Sequence, residues 1–324
     1  MRTTASQAQD GLATMPPAAA LAWAARPSAS YWSRSWRRFR RNRLAMFSLA
    51  VTLLLIAISF GAPLIERYVT GVSYEQQSLL NTFKPPFTPG HILGTDELGR
   101  DVLTRLVYGG RVSLSIALIA AGVALTLGTL LGAIAGYYGG WLDSVIMRFV
   151  DVLLSIPALF LLILVSTLIN NSKVLSAAVR GELGWITLAV VIASIGWTGI
   201  SRLVRGEVIA LKARDFVLAA RVVGVDDRRI ILRHILPNVV PIMIIWVTLT
   251  IPGLILTEAA LSYLGFGVQI PTPSWGNMLS RSQQYLYQSV SLIVIPGAMI
   301  YLTVLMINLL GNGLRDALDP RLTD

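Results

Sequence analysis

The chain of 324 residues is 54% hydrophobic and only 14% charged, with a mean hydropathy of +0.65 and a formal net charge of +10. Soluble domains carry nearer a quarter charged residues, so this balance excludes an ordinary soluble fold and points to a membrane protein. With no cysteine and only His91 and His234, disulfides, thiolate sites and a cysteine nucleophile are excluded, and a histidine-built metal site is not expected.

Residues 1–30 are rich in Ala, Pro and Ser and are expected to be a disordered tail. Its apolar run is too short to span a bilayer and is followed by arginines, which argues against a cleaved leader. Residues 31–43, "YWSRSWRRFRRNR", place Trp32, Trp36 and Phe39 at helical spacing among arginines. That pattern predicts an amphipathic helix lying in the membrane interface, or equally a stop signal that fixes orientation.

Six segments are long and apolar enough to cross a bilayer, at roughly twenty residues each. They run approximately Leu44–Ile65, Val112–Gly136, Met147–Ile169, Trp185–Ile200, Val239–Leu261 and Val290–Leu310. The fourth is expected to break near Gly196 and Gly199, and Pro157 is expected to kink the third. The fold class is therefore all-α and polytopic: a first span with a long loop (44–111), a five-helix core (112–312) and a tail (313–324). Of the 27 lysines and arginines, 19 fall on the side of the N-terminus, which predicts that both termini are cytoplasmic. No basic stripe interleaved with aromatics lies on a soluble fold, so the expected partner is membrane lipid and not nucleic acid. The loops at 66–111 and after the fifth span are rich in Pro and Gly and are expected to be ordered caps.

Individual residues stand out along the core. Gly128, Gly132 and Gly136 recur every four residues and predict a close helix-packing face. Arg148 and Asp151, three apart, are candidates for a structural ion pair. Glu258, near the outer end of the fifth span, is the most prominent single charge, expected as a lining or gate of a translocation path or as the partner of a loop arginine.

The cytoplasmic stretch 201–238 ends in "LAARVVGVDDRRIILRHILPN". Asp215 is expected to cap a helix with Phe216, Ala219, Ala220 and Val223 along one side. Gly224 then ends it in the left-handed region. Asp226 is expected to cap a second helix, apolar at Ile230, Ile231 and Ile235 and basic at Arg228, Arg229 and Arg233. Leu236-Pro237 leads into the next span, since proline is tolerated in a first helical turn. The result is a helical lever stiffly joined to a span.

Ala219-Ala220, Gly224 and Leu236-Pro237 at this spacing resemble the EAA loop of bacterial ABC-importer permeases. Leu218 stands where that family often has glutamate, and His234 where it has isoleucine. "RRFRRNRLAMFSL", "LGTDELGRDVLTRLVYGGRVSL", "GYYGGWLDSVIMRFVDVLLSIP", "LTEAALSYLGFGVQIPTPSWGNML" and "NLLGNGLRDALDPR" are similar to the C-type permeases of the dipeptide/oligopeptide branch. The resemblance implies a type I ABC-importer architecture and import of dipeptides or oligopeptides, with nickel or oligosaccharides as alternatives. It implies no catalytic residue and no cofactor in this chain, ATP and Mg being bound by partner ATPases. The partners it implies are a homologous second permease, two ATPase subunits docked on the loop, and an extracytoplasmic binding protein that delivers peptide. No GxxxxGK[ST], HExxH or GxSxG motif occurs in the sequence. An ion-driven secondary transporter would favour inverted repeats and mid-membrane acids, which are not evident, and a membrane scaffold without transport would leave the lever unexplained.

Overall fold

A computed structural model describes residues 31–172 and 184–319. The tail at 1–30, part of the third-to-fourth connection and the last five residues lie outside the described residues. Among the described residues the secondary structure is helical, with two isolated bridges at Thr88–His91 and Thr95–Asp101 and no ladder.

Helix α1 (Tyr31–Arg41) leads into α2 (Arg43–Phe60), whose start is capped by the Asn42 side chain accepting from Ala45 N at 3.1 Å. The long helices that follow are α3 (Val102–Tyr138), α6 (Gly184–Lys212), α9 (Leu236–Tyr263) and α11 (Ser291–Leu318). Between α3 and α6 lie two shorter helices, α4 (Gly140–Ser155) and α5 (Ala158–Asn171). Among the described residues five helices are long and apolar enough to cross, and the pair α4–α5, bent by 92°, makes a sixth if it is one broken span and not a re-entrant loop. The sequence predicted a kink at Pro157, and the helix in fact stops there. Ile156 (φ −98°, ψ 130°) and Pro157 (φ −55°, ψ 123°) are both extended, because the proline ring drives the preceding residue out of the helical region.

Two other boundaries differ from the hydropathy pattern. Helix α3 starts ten residues before Val112, capped by Asp101, whose carboxylate accepts from Thr104 N at 2.8 Å. At 37 residues it is about 55 Å long, well beyond the hydrocarbon core of about 30 Å. Helix α6 does not break at Gly196 and Gly199 but runs on to Lys212. A Cβ on Gly196 would stand 3.4 Å from Ala124 Cβ and one on Gly199 3.9 Å from Trp246 Nε1, ordinary contacts, so both positions are plain members of a continuous helix.

The α3–α6 pair is the spine of the core. Ala117, Ala120, Ala121 and Ala124 are buried, and the stripe continues as Gly128, Gly132 and Gly136. A Cβ on Gly128 would run into Ile200 and stand 2.6 Å from the Trp197 carbonyl oxygen. On Gly132 it would strike the Ser201 carbonyl, and on Gly136 it would lie 2.8 Å from the Arg205 carbonyl oxygen. With little hydrophobic drive between helices in lipid, this backbone-to-backbone approach supplies the dispersion that holds them.

Helix α1 turns Ser35 and Phe39 inward, with Phe39 packed on Ala45 and Ala317, while Trp32 and Trp36 are exposed. The predicted aromatic face is thus split: Phe39 anchors the helix on the end of α11, while Trp32 and Trp36 keep about half of their surface exposed. The connections at 61–101 and 264–290 lie together at the opposite end. Asp96 accepts from Leu98 N and Arg100 N at 2.9 Å each and pairs with Arg100 at 2.7 Å and Arg105 at 3.5 Å. Glu97 bridges Arg100 at 2.9 Å to Arg281 of the second connection at 3.3 Å.

Candidate functional site: a helical hairpin mounted on the bundle

The stretch singled out in the sequence forms a hairpin of α7 (Asp215–Val222) and α8 (Asp227–Ile230), joined through a π-turn at Ile231–Ile235 to α9. Gly224 has φ +83°, the left-handed conformation its position required. Val225 N donates to Ala220 O at 3.1 Å and Gly224 N to Arg221 O at 3.0 Å, the two-bond closure of a Schellman motif. Asp226 caps α8, accepting from Arg228 N at 3.2 Å. Pro237 sits in the first turn of α9, where its missing N–H coincides with the widened π-turn.

Two details differ from the sequence reading. Asp215 is not the cap of α7 but its first residue: Arg214, in extended conformation (φ −79°, ψ 147°), holds that position without a side-chain bond. The inward face is Val217 with Ala220, whereas Phe216, Ala219 and Val223 point outward. Val217, Ile230, Ile235 and Val239 are fully buried against Ala133, Tyr137, Ile200, Val204 and Val208. The tip is the opposite: Val222 is 88% and Val223 82% exposed, beside Phe216 and Leu218. Arg228 and Arg229 are exposed on the same hairpin.

Tyr137, in the last turn of α3, bolts the hairpin down. Its hydroxyl donates to the Asp227 carboxylate, and Lys212 Nζ donates to its backbone carbonyl. Lys212 and Arg221 stand 5.3 and 5.7 Å from its ring centroid, within cation–π range. The Arg221 guanidinium also donates to the Tyr137 hydroxyl at 3.3 Å. That bond pushes the Arg221 pKa further above its ordinary value.

The far end of α9 carries Glu258, completely buried. Ser113 Oγ and Ser262 Oγ each donate to its carboxylate at 2.7 Å, and Trp275 N donates to Ser113 Oγ at 3.3 Å. Its partners are therefore serines and not a loop arginine, and the residue lines no open path in this conformation. Trp275, also fully buried, donates from Nε1 to Leu106 O at 3.0 Å and lies across Gly109 and Gly110. The cluster pins α10 (Trp275–Ser282) to α3 and α9. Helix α9 thus joins two fixed ends, the hairpin at one and this polar cluster at the other.

The expected Arg148–Asp151 pair is replaced by pairs between helices. Asp151 accepts from Arg202, and Asp143 is held by Arg205 Nε and Nη2 at 2.5 and 2.6 Å. Both arginines come from α6, which fixes α4 against the lower half of that helix.

The family described as "Binding-protein-dependent transport system inner membrane component" matches residues 128–324, and "N-terminal TM domain of oligopeptide transport permease C" matches residues 30–86. The chain belongs to the binding-protein-dependent inner-membrane permeases. Over 295 residues it is 38% identical to the oligopeptide transport system permease protein OppC of Bacillus subtilis, covering 91% of each chain. It is 39% identical over 293 residues to the dipeptide permease DppC of Alkalihalophilus pseudofirmus, covering 90% of this chain and 91% of that one. The glutathione permease GsiD of Pectobacterium atrosepticum is 39% identical over 291 residues, at 90% and 91% coverage. A chain of the inward-facing MetNI methionine ABC transporter shares the fold, with a TM-score of 0.52 at 18% identity, covering 65% of this chain and 95% of that one. The ion-driven and scaffold alternatives are set aside by this membership.

In this permease the departures Leu218 and His234 fall at different depths. Leu218 is exposed beside the tip, and His234 is half-buried in the π-turn, its carbonyl accepting from Asn238 Nδ2 at 2.7 Å. Tyr137, Lys212, Arg221 and Asp227 were not singled out by the sequence. Residues 75 to 90 positions apart share no periodicity, and only the Gly128–Gly136 stripe pointed toward the end of α3 where they meet.

Proposed function

We propose that this permease imports dipeptides or oligopeptides through the cytoplasmic membrane, with both termini inside, as one of two homologous permease subunits. Two ATPase subunits, which bind the ATP and Mg, dock on the α7–α8 hairpin, and an extracytoplasmic binding protein delivers the peptide at the other end. This chain supplies no catalytic residue and no cofactor of its own. The observation that carries the reading is the contrast within the hairpin. Its inner face is locked to α3, α6 and α9, while among the described residues Val222 and Val223 at its tip stand almost wholly exposed, with Phe216 partly so. A rigid base with an apolar tip is suited to receive a push from a partner and pass it into α9.

The peptide assignment is supported by relatives whose named substrates are oligopeptides, dipeptides and glutathione. The orientation is supported by the accumulation of lysines and arginines on the hairpin side. Uptake of radiolabelled trialanine by cells carrying the gene, lost on its deletion and restored by a plasmid copy, tests the function. Unchanged peptide uptake in the deletion strain, with nickel or oligosaccharide uptake lost instead, would overturn the substrate.

A further inference from the structure

We propose that a cleft of ≈ 780 Å³ at the end opposite the hairpin is a way-station that binds short peptides by their charged termini. The assignment rests on the peptide reading above and deepens it. The volume lies within the 300–1,000 Å³ typical of small-ligand sites.

Tyr108, Arg111 and Ser115 lie on one face of α3, at helical spacing, and form one wall. Tyr74 and Glu75 of the first connection form a second, with the Tyr74 and Tyr108 rings 4.6 Å apart between centroids. The third is the segment Val268–Pro273, which includes Gln269. That wall is rigid. Asn277 Nδ2 donates to Val268 O at 3.2 Å and Thr272 O at 2.9 Å, and Val268 N donates to Ser262 Oγ at 3.1 Å. Ser262 in turn donates to Glu258, so the cleft is tied directly to α9.

The chemistry selects among ligands. Arg111 and Glu75 are both exposed and opposite in charge, and the cleft also holds an aromatic pair and an amide. A free peptide in solution is a zwitterion with a carboxylate at one end, an ammonium at the other and side chains between. Arg111 matches the carboxylate through its planar fork, Glu75 matches the ammonium, and the tyrosines offer amphipathic surface to side chains of varied kind. A lipid tail gains nothing from the two charges, and a neutral oligosaccharide needs no such opposite pair.

The native chain lacks cysteine, so single-cysteine variants report directly on the cleft. Ser115→Cys places a thiol inside it, and Gln284→Cys places one at the same end outside it. The assembled transporter in nanodiscs is labelled with a maleimide in the presence of binding protein, either empty or loaded with trialanine. Loaded binding protein is expected to slow labelling of S115C about threefold relative to empty, leaving Q284C unchanged. Adding Arg111→Gln is expected to remove that protection and raise the KM for trialanine about tenfold with kcat little changed, and Arg111→Lys to restore part of both.

Equal labelling of S115C with loaded and empty binding protein, in a complex that still transports trialanine, would overturn the proposal. So would an S115C thiol reactive in the isolated chain but closed to reagent in the full complex, which would mean that the second permease covers the cleft. A wild-type complex that hydrolyses ATP but takes up no short peptide would strike the peptide reading itself, and this assignment with it.

Discussion

The hydroxyl of Tyr137 donates to the carboxylate of Asp227, joining the end of α3 to the start of the hairpin's second helix across 90 residues of sequence. The same tyrosine takes Lys212 on its carbonyl and two cations over its ring. The hairpin is thereby held by polar bonds on one side and by Val217, Ile230 and Ile235 on the other. Tyr137→Phe keeps the ring and removes the bond to a charged group, a loss of about 1.5–3 kcal/mol. Insertion and ATPase binding should persist while uptake per ATP hydrolysed falls several-fold, measured as the ratio of transport to phosphate release in proteoliposomes. An unchanged ratio would show that the bond has no part in transmission.

Gly224 has open space around it, so a side chain there meets no obstacle and only the backbone objects. At φ +83° an L-residue is disfavoured by about 1–2 kcal/mol, and more if β-branched. Gly224→Val should therefore leave the chain in the membrane at normal levels but displace α7, and transport should drop. Gly224→Asn, which tolerates the left-handed region, should recover most of it. Loss with Asn equal to loss with Val would point to a need for empty space and not for the turn.

Gly132 faces the opposite constraint. Its φ is ordinary, but a Cβ would collide with the Ser201 carbonyl of α6. Even Gly132→Ala should destabilise by about 1–3 kcal/mol, the range for overpacking a close contact, and Gly132→Leu should prevent assembly. Gly122, on the same helix with nothing near its Cβ position, should accept alanine without loss. Thermal stability in detergent, followed by size-exclusion of a fluorescent fusion, distinguishes the two positions.

The outer connections depend on Asp96 far more than on Arg281. Asp96 satisfies two backbone amides and faces Arg100 and Arg105, both buried. Asp96→Asn leaves the buried Arg105 guanidinium without its paired carboxylate, while Arg100 keeps Glu97, at a cost of about 3 kcal/mol. Arg281→Ala removes only a partly exposed bridge to Glu97 and should cost no more than about 1 kcal/mol. Comparable destabilisation by the two variants would contradict the importance given to Asp96.

Glu258 and its serines make a graded series. Glu258→Ala leaves Ser113 and Ser262 without their acceptor in a dry site, whereas Glu258→Gln keeps one acceptor oxygen. The alanine variant should lose more stability than the glutamine variant, and both should loosen Trp275, read as a shift of tryptophan fluorescence to the red.

Local features of the hairpin were legible from sequence because they are set by neighbours in the chain: the left-handed Gly224, the Asp226 cap, the proline in the first turn of α9 and the buried Ile230 and Ile235. The glycine stripe was legible for the same reason, since a four-residue period marks one helical face. What escaped was decided by distant partners. Arg148 and Asp151 have the spacing of a pair, yet Arg202 reaches Asp151 from another helix. Glu258 found serines on its own helix and on α3. Phe216 and Ala219 fit an apolar face, but Val217 is the residue that the core covers. Hydropathy also misjudged α3 and α6, because a helix continues past the apolar zone wherever caps and packing favour it.

The central claim is that the exposed tip of α7 is where an ATPase engages this permease. The most direct test is affinity purification of the tagged chain from gently solubilised native membranes, wild type beside Val222→Asp/Val223→Asp, with mass spectrometry of what stays bound. Both residues are exposed, so the double variant should insert and fold normally. Recovery of a P-loop ATPase and a second permease with the wild type, and of the second permease alone with the variant, is the predicted result. An ATPase bound equally to both, or absent from the wild type while present in the same membranes, would contradict it.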